Sequence, residues 1–98
     1  MKFMMVGKLA GAGISSPEER TRLCGLKTES LGIKLLQRHL TAGAYDFCTL
    51  IDAPGLTAAT AFNLWWISRG FGECHLLQVF EEDEYNEIQS QMKGTPEH

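Results

Sequence analysis

The sequence predicts an α+β protein in which a four-stranded antiparallel sheet carries its two main helices on one face. Short apolar runs alternate with segments bounded by helix start and stop signals, in the order βαββαβ with one more helix at the end. The two halves of the chain repeat the same βαβ pattern. With 44% hydrophobic and 21% charged residues, we expect one globular domain over residues 1–98, with 93–98 as a flexible tail.

The first half begins with a predicted strand over Lys2 to Leu9, which is short and apolar. A glycine-rich loop follows. Ser16 and Glu19 then have the spacing of the two side chains in a helix capping box, with a proline at the first helical position. This helix is predicted to end at Ser30, because Gly32 can adopt the left-handed conformation of a C-terminal cap.

A hairpin is predicted in the middle of the chain. Its strands are Ile33 to Leu40 and Tyr45 to Asp52, and they are joined by the turn Thr41-Ala42-Gly43-Ala44. A connection this short makes the two strands antiparallel neighbours.

The second half repeats the pattern after a break at Pro54-Gly55. A helix is predicted over Thr57 to Arg69, with Gly70 ending it, and a fourth strand over Glu73 to Phe80. The segment EEDEYNEIQSQMK then predicts a final helix, because its acids lie at the N-terminus, where the helix dipole favours them. This order of elements is that of a ferredoxin-like fold.

Apolar side chains occur on both faces of the predicted sheet. A half-solvated strand alternates apolar and polar residues, whereas here apolar residues oppose one another within a strand. The opposed sets are Ile33 and Leu35 against Leu36 and Leu40, Phe47 and Ile51 against Cys48 and Leu50, and Leu77 and Val79 against Leu76 and Phe80. The two helices can cover only one face, so we expect a second copy to cover the other in a two-fold homodimer.

Gly43, Tyr45 and Asp46, followed by an apolar strand and the segment DAP, resemble the element for which the GYD domain family is named. The likeness continues through AATAFNLWWISRGFG and HLLQVFEEDEYNEI, and so covers residues 32–88. This resemblance implies a dimeric α/β barrel, in which two ferredoxin-like sheets pack face to face with the helices outside. It implies no reaction, because the family has no established general activity. Two departures are Ala44, which separates the glycine from the tyrosine, and the bulky Trp65-Trp66.

Charge and composition narrow the expected partners. The net charge is −3 and the pI about 5.5, and the basic residues are scattered, so we expect no binding to nucleic acid. No apolar run approaches the ~20 residues of a membrane-spanning helix. Lys8 interrupts the apolar N-terminus, so we expect neither a membrane partner nor a cleaved leader.

The three cysteines, Cys24, Cys48 and Cys74, form an odd number without CxxC spacing. Disulfides are rare in reducing compartments, and zinc sites need closely spaced ligands. We therefore expect free thiols in a cytoplasmic protein and no metal site.

Tyr45 and Asp46 directly follow the hairpin turn, and neighbouring residues of a strand point to opposite faces. In a structural interpretation, the hydroxyl and the carboxylate bind backbone groups of the turn, as aspartate often does. In a functional one, the Tyr45 phenol donates a proton within a pocket, and Gly43 and Asp46 contact a ligand. We favour the structural interpretation.

His39 and His75 are the candidates for a catalytic base, because histidine changes charge near neutral pH. His39 is expected to share a strand face with Gln37 and Thr41. No nucleophile has a suitable spacing beside either histidine, and no HxH or HxxxH pair supports a metal site. Structural histidines are therefore the favoured alternative.

Two further features are the loop from Gly11 to Gly13 and the pair Trp65-Trp66. The loop lacks the third glycine of a dinucleotide-binding turn, so we favour a flexible loop at a pocket mouth. The two tryptophans lie about 100° apart on their helix, so one is expected in the core and the other at its border. Both are also candidate ligand contacts.

The sequence identifies no cofactor and leaves open whether the protein is an enzyme. We favour binding of a small molecule in a pocket by the sheet of a homodimer. One alternative is a cofactor-independent enzyme, of a monooxygenase or isomerase type, in which His39, His75 or Tyr45 transfers protons. The other is a protein whose only role is oligomerisation.

Overall fold

The computed structural model describes residues 1–94 and has the predicted ferredoxin-like fold. Its strands are β1 (Lys2–Leu9), β2 (Lys34–Leu40), β3 (Phe47–Asp52) and β4 (Gly72–Val79). They form one antiparallel sheet in the order β2-β3-β1-β4. Its helices are α1 (Ala12–Ser15), α2 (Pro17–Ser30), α3 (Leu56–Ser68) and α4 (Glu82–Lys93). The predicted tail, 93–98, lies outside the described residues except for Lys93 and Gly94.

Helix boundaries agree with the prediction to within a residue or two, but the start of α2 differs in its chemistry. Ser16 makes no capping hydrogen bond with its side chain, and Glu19 pairs instead with Arg22, at 2.5 Å. The capping box predicted there is therefore wrong. One forms at α4, where the side chains of Glu81 and Glu84 each accept from the other's backbone N–H. The glycine-rich loop contains the short helix α1, which was not predicted.

The hydrophobic core lies between one face of the sheet and the helices α2 and α3. Phe3 and Ile51 are completely buried on this face, and α3 contributes Phe62 and Trp66. Cys24 and its neighbour Leu23 pack α2 more loosely against the same cluster. We call this side of the sheet the helix face.

A β-bulge in β2 makes the faces of its later residues differ from those predicted. Leu35 pairs with Ile51, but Gln37 pairs with Leu50, so the register shifts at Leu36. Every later residue of β2 is turned to the face opposite to that expected from regular alternation. Leu40 therefore lies on the same face as Leu35, and the prediction that it opposes Leu35 is wrong.

No helix covers the opposite face of the sheet, which we call the bare face. The pairing register assigns six apolar residues to it, Met4, Val6, Cys48, Leu50, Leu77 and Val79. Leu77, near the middle of the outer strand β4, is 52% exposed. The predicted apolar character of this face is confirmed, and within the single chain part of it contacts water.

The helix α4 and the edge strand β2 are the least covered elements. All twelve residues of α4 and all seven of β2 are exposed. Tyr85, Ile88 and Met92 form an apolar stripe along α4. Within residues 1–94, no helix combines the length and the apolar character that a membrane crossing needs.

Candidate functional site

A cavity of about 310 Å³ lies on the helix face, between α2, α3 and the edge of the sheet formed by β2 and β3. It exists because α2 presents few large apolar residues to the sheet. Cys24 packs against the core, but one turn earlier the corresponding positions are Arg20 and Thr21. These side chains do not fill the space as leucine would, and the sheet beneath them stays open.

The walls of the cavity are largely apolar. From the sheet they comprise Met5, Leu9, Leu35, Leu40 and Phe47. Helix α3 adds Phe62 and Trp66, and the ring of Trp66 lies 5.2 Å from that of Phe47. Leu40 is 79% exposed, so the cavity opens to water at the β2 edge. Such a surface favours an apolar ligand, because binding removes the apolar surfaces of the cavity and of the ligand from water.

The polar groups of the cavity are cationic or neutral. Arg20 comes from α2, and Arg38 comes from β2, where the bulge places it opposite Thr49 on the helix face. Among the residues that the structure describes, no aspartate or glutamate lines the cavity. The site therefore offers two guanidinium groups beside apolar walls.

The thiol of Cys24 is the ionisable group deepest in this arrangement. Burial raises its pKa above the ordinary value of 9.0, and the nearby Arg20 and Arg38 act in the opposite direction without reversing the shift. The thiol is thus protonated at neutral pH, and it adds no negative charge to the cavity.

The two tryptophans occupy the positions predicted for them. Trp66 is 6% exposed and lines the cavity, whereas Trp65 is partly buried and stacks on Phe62, with ring centroids 5.7 Å apart. Trp65 also contacts Phe71 edge-on and does not line the cavity. Of the two candidates, only Trp66 can therefore contact a ligand bound there.

Tyr45 and His75 form a second, separate cluster on the bare face. Their ring centroids are 6.0 Å apart in an edge-to-face arrangement. The Nε2 atom of His75 lies 4.0 Å from a carboxylate oxygen of Glu73, two residues earlier on the same face of β4. The side chain of His75 is 56% exposed. The structure thus brings together two of the three candidate catalytic residues.

His39 is separated from that pair. Its strand partner is Cys48, which pairs in turn with Val6, and Val6 pairs with His75 on the far strand. His39 therefore shares a face with Gln37, as predicted, but the bulge turns both to the bare face, and His39 lies at the edge of the sheet opposite to His75. It also borders the mouth of the cavity.

Asp46 and Gly43 serve the hairpin and its neighbours. The Oδ2 atom of Asp46 accepts a hydrogen bond from the Leu9 N–H at 2.9 Å, and the Asp46 N–H donates to the Gly7 carbonyl at 2.8 Å. The Thr41 hydroxyl donates to the Tyr45 carbonyl. Gly43 has a φ of 131°, which favours glycine in this turn. Asp46 and Gly43 do not line the cavity.

No metal centre is evident in the described part of the chain. Between residues 1 and 94, histidine, cysteine and acidic side chains nowhere gather in threes in a way that could hold an ion. The cysteines at 24, 48 and 74 are free thiols.

Sequence reasoning missed Arg20 and Arg38, which belong to no motif. Regular alternation along β2 places Arg38 on the face opposite to Leu35, and only the bulge turns it into the cavity. Arg20 carried a usable signal, because it precedes Cys24 by one helical turn and must share its face.

A model of the GYD domain family matches residues 3–89 of the 98-residue chain. The match extends the predicted resemblance to β1 and α2, and includes every residue of the cavity and of the Tyr45–His75 cluster. A comparison with curated proteins finds no match.

Proposed function

We propose a function from the premise that the chain belongs to the GYD domain family: it binds a small, largely apolar molecule in the cavity of the helix face, as a homodimer joined through the bare face. The cavity is the observation that carries this proposal. Its volume of about 310 Å³ lies at the lower end of the roughly 300–1,000 Å³ of known ligand pockets. Apolar walls with a few polar groups are typical of such pockets.

The dimer is supported by the apolar residues of the bare face. An exposed leucine such as Leu77 contributes on the order of 2 kcal/mol when it is buried, and a two-fold contact buries each residue twice. Packing two bare faces together leaves both cavities on the outside, where a ligand can reach them. Each subunit then binds its own molecule.

The proposal is tested by filling the cavity. Thr49→Met adds a longer side chain to the cavity wall, and Thr57→Met is the matched control, because Thr57 is exposed at the start of α3. The probe is 2-naphthylmethanol, and binding is followed by amide and indole shifts in NMR spectra. We expect the probe to shift the signals of Cys24 and Trp66 in the wild type and in the control. Thr49→Met abolishes these shifts.

Shifts confined to the bare face, or equal shifts in Thr49→Met and Thr57→Met, would contradict binding in the cavity. If neither 2-naphthylmethanol nor its anionic analogues 2-naphthoate and 2-naphthyl phosphate bind, the oligomerisation role remains as the explanation of the fold.

A second candidate function is proton-transfer catalysis without a cofactor, and the cluster of Tyr45, His75 and Glu73 favours it. A carboxylate beside a histidine can orient the ring, and a phenol next to it can donate a proton. A second copy packed on the bare face would exclude water from this cluster. His75→Ala is then expected to remove turnover while the dimer and the cavity persist.

We also propose a cytoplasmic location. Its support is the set of three free thiols, which fits a reducing compartment.

A further inference from the structure

The charges around the cavity indicate which small molecules it accepts. The chain carries a net charge of −3, yet none of the acidic residues within residues 1–94 lines the cavity, and Glu82, Asp83 and Glu84 are gathered at the start of α4. The charged side chains that line the cavity are Arg20 and Arg38. A positive site on an acidic protein selects against cationic ligands.

The two guanidinium groups are available to a ligand to different degrees. Arg20 donates a hydrogen bond through Nη1 to the Gly13 carbonyl, which holds the side chain at the cavity. The other N–H groups of its guanidinium can still donate to a ligand. Within residues 1–94, Arg38 has neither an ion-pair partner nor a side-chain hydrogen bond. Arginine presents its donors in a planar fork that matches carboxylate and phosphate oxygens.

The groups next to the arginines leave the positive charge uncompensated. Cys24 is protonated, and the neutral hydroxyl group of Thr49 can donate a hydrogen bond to an anion, whereas the Thr21 hydroxyl donates to the Pro17 carbonyl. The remaining walls are leucine, methionine and aromatic side chains. A ligand that satisfies both parts has one anionic end and an apolar body.

We infer that the cavity binds an organic anion whose carboxylate or phosphate group pairs with Arg20 and Arg38 while its apolar body lies against Phe47, Phe62 and Trp66. This inference rests on the proposed small-molecule function and specifies the class of ligand. The cavity volume restricts the body to about the size of a fused aromatic ring pair or a short alkyl chain.

Three probes with the same apolar body test the inference by isothermal titration calorimetry at low ionic strength: 2-naphthoate, 2-naphthyl phosphate and the neutral 2-naphthylmethanol. We expect at least one anion to bind at least about tenfold more tightly than the alcohol, which corresponds to about 1.4 kcal/mol. The tighter of the two anions identifies the head group. Added salt should reduce the preference, because it screens exposed arginines.

Arg38→Gln is the decisive variant, and Arg22→Gln is its matched control. Arg22 lies on α2, is exposed, pairs with Glu19 and does not line the cavity. We expect Arg38→Gln to lose most of the preference for the anion and to keep its affinity for the alcohol, while Arg22→Gln behaves as the wild type. Arg38 lies on an exposed edge strand, so folding should survive, which the amide spectrum of each variant verifies.

Two outcomes overturn the inference, and they differ in whether the proposed small-molecule binding survives. If the alcohol binds as tightly as both anions, or if Arg38→Gln and Arg22→Gln keep the same preference, the anion class is wrong and small-molecule binding survives. If none of the three probes binds, both the inference and the proposed function are wrong.

Discussion

Burial of the single residue Cys74 makes the free energy of unfolding depend on pH. It lies in the core, 5% exposed, where burial raises the pKa of its thiol from the ordinary 9.0 to about 12, with a smaller contribution from Cys24. Well below pH 9 the thiol is protonated in both the folded and the unfolded chain. Above that pH the unfolded thiol ionises while the folded one stays protonated, so the free energy of unfolding falls.

We predict that the wild type loses stability between about pH 8 and about pH 10.5 by up to about 2 kcal/mol more than Cys74→Val does. Valine keeps an apolar side chain in the strand and removes the titrating group. Urea unfolding at the two pH values measures the difference. An equal loss in both proteins would show that the Cys74 thiol is not shielded in the folded state.

The candidate site residues differ in how far the sequence predicts their positions. One of the two tryptophans could be assigned to the core and the other to its border, because they lie about 100° apart on their helix, but the sequence did not show that Trp66 is the buried one. Tyr45 precedes β3 and His75 lies within β4, 30 positions later, and the two residues meet because β3 and β4 both pair with β1. Their contact depends on the register of strand pairing. Local sequence patterns determine that register only weakly when a strand has apolar residues on both of its faces.

Among the helices and strands, two glycines differ in the space around them: one lies in a closely packed sheet and the other in an open part of a helix. A Cβ atom at Gly7, in the middle of the sheet, would lie 1.9 Å from the Glu73 carbonyl oxygen and 2.9 Å from the ring of Phe47. A Cβ atom at Gly25, in α2, would meet nothing within 4 Å. The two positions therefore predict opposite effects of the same substitution.

We predict that Gly7→Ala destabilises the protein by about 3 kcal/mol, because a strand must move to admit the methyl group. Gly25→Ala should instead stabilise it by about 0.5–1 kcal/mol, because alanine loses less conformational freedom in a helix. Chemical denaturation of the two variants measures both effects. A loss of stability in both would mean that α2 is packed more closely than described.

Most of the elements could be predicted from sequence, because glycine and proline mark where each one ends. Gly32 and Gly70 have φ values of 70° and 76°, as expected of residues that terminate helices. The bulge at Leu36 could not be predicted, because the adjacent Leu35 and Leu36 give β2 apolar residues on both faces and the strand tolerates either register. Missing the bulge also concealed Arg38, and with it the charge of the cavity.

The single chain is elongated for its length. Its radius of gyration is 16.1 Å, whereas a compact domain of about 100 residues has about 13 Å. The described residues span 57 × 31 × 21 Å, and both the exposed α4 and the bare face contribute uncovered apolar surface. A second copy on the bare face would give a more compact particle.

We predict that Leu77→Glu converts the proposed dimer to a monomer, because it places two charges in an apolar contact. Leu64→Glu is the matched control, since Leu64 is 60% exposed on α3, on the other side of the molecule. Sedimentation at micromolar concentration distinguishes the two. If Leu64→Glu dissociates the assembly and Leu77→Glu does not, the contact lies on the helices.

Native mass spectrometry of the wild type at micromolar concentration with 2-naphthoate examines dimer formation and ligand binding together, because one spectrum reports the mass of the assembly and the number of bound probe molecules. We expect a species of twice the 10.9 kDa of one chain that carries one probe molecule in each subunit. A spectrum of monomers, or of dimers to which no probe adds, would contradict it.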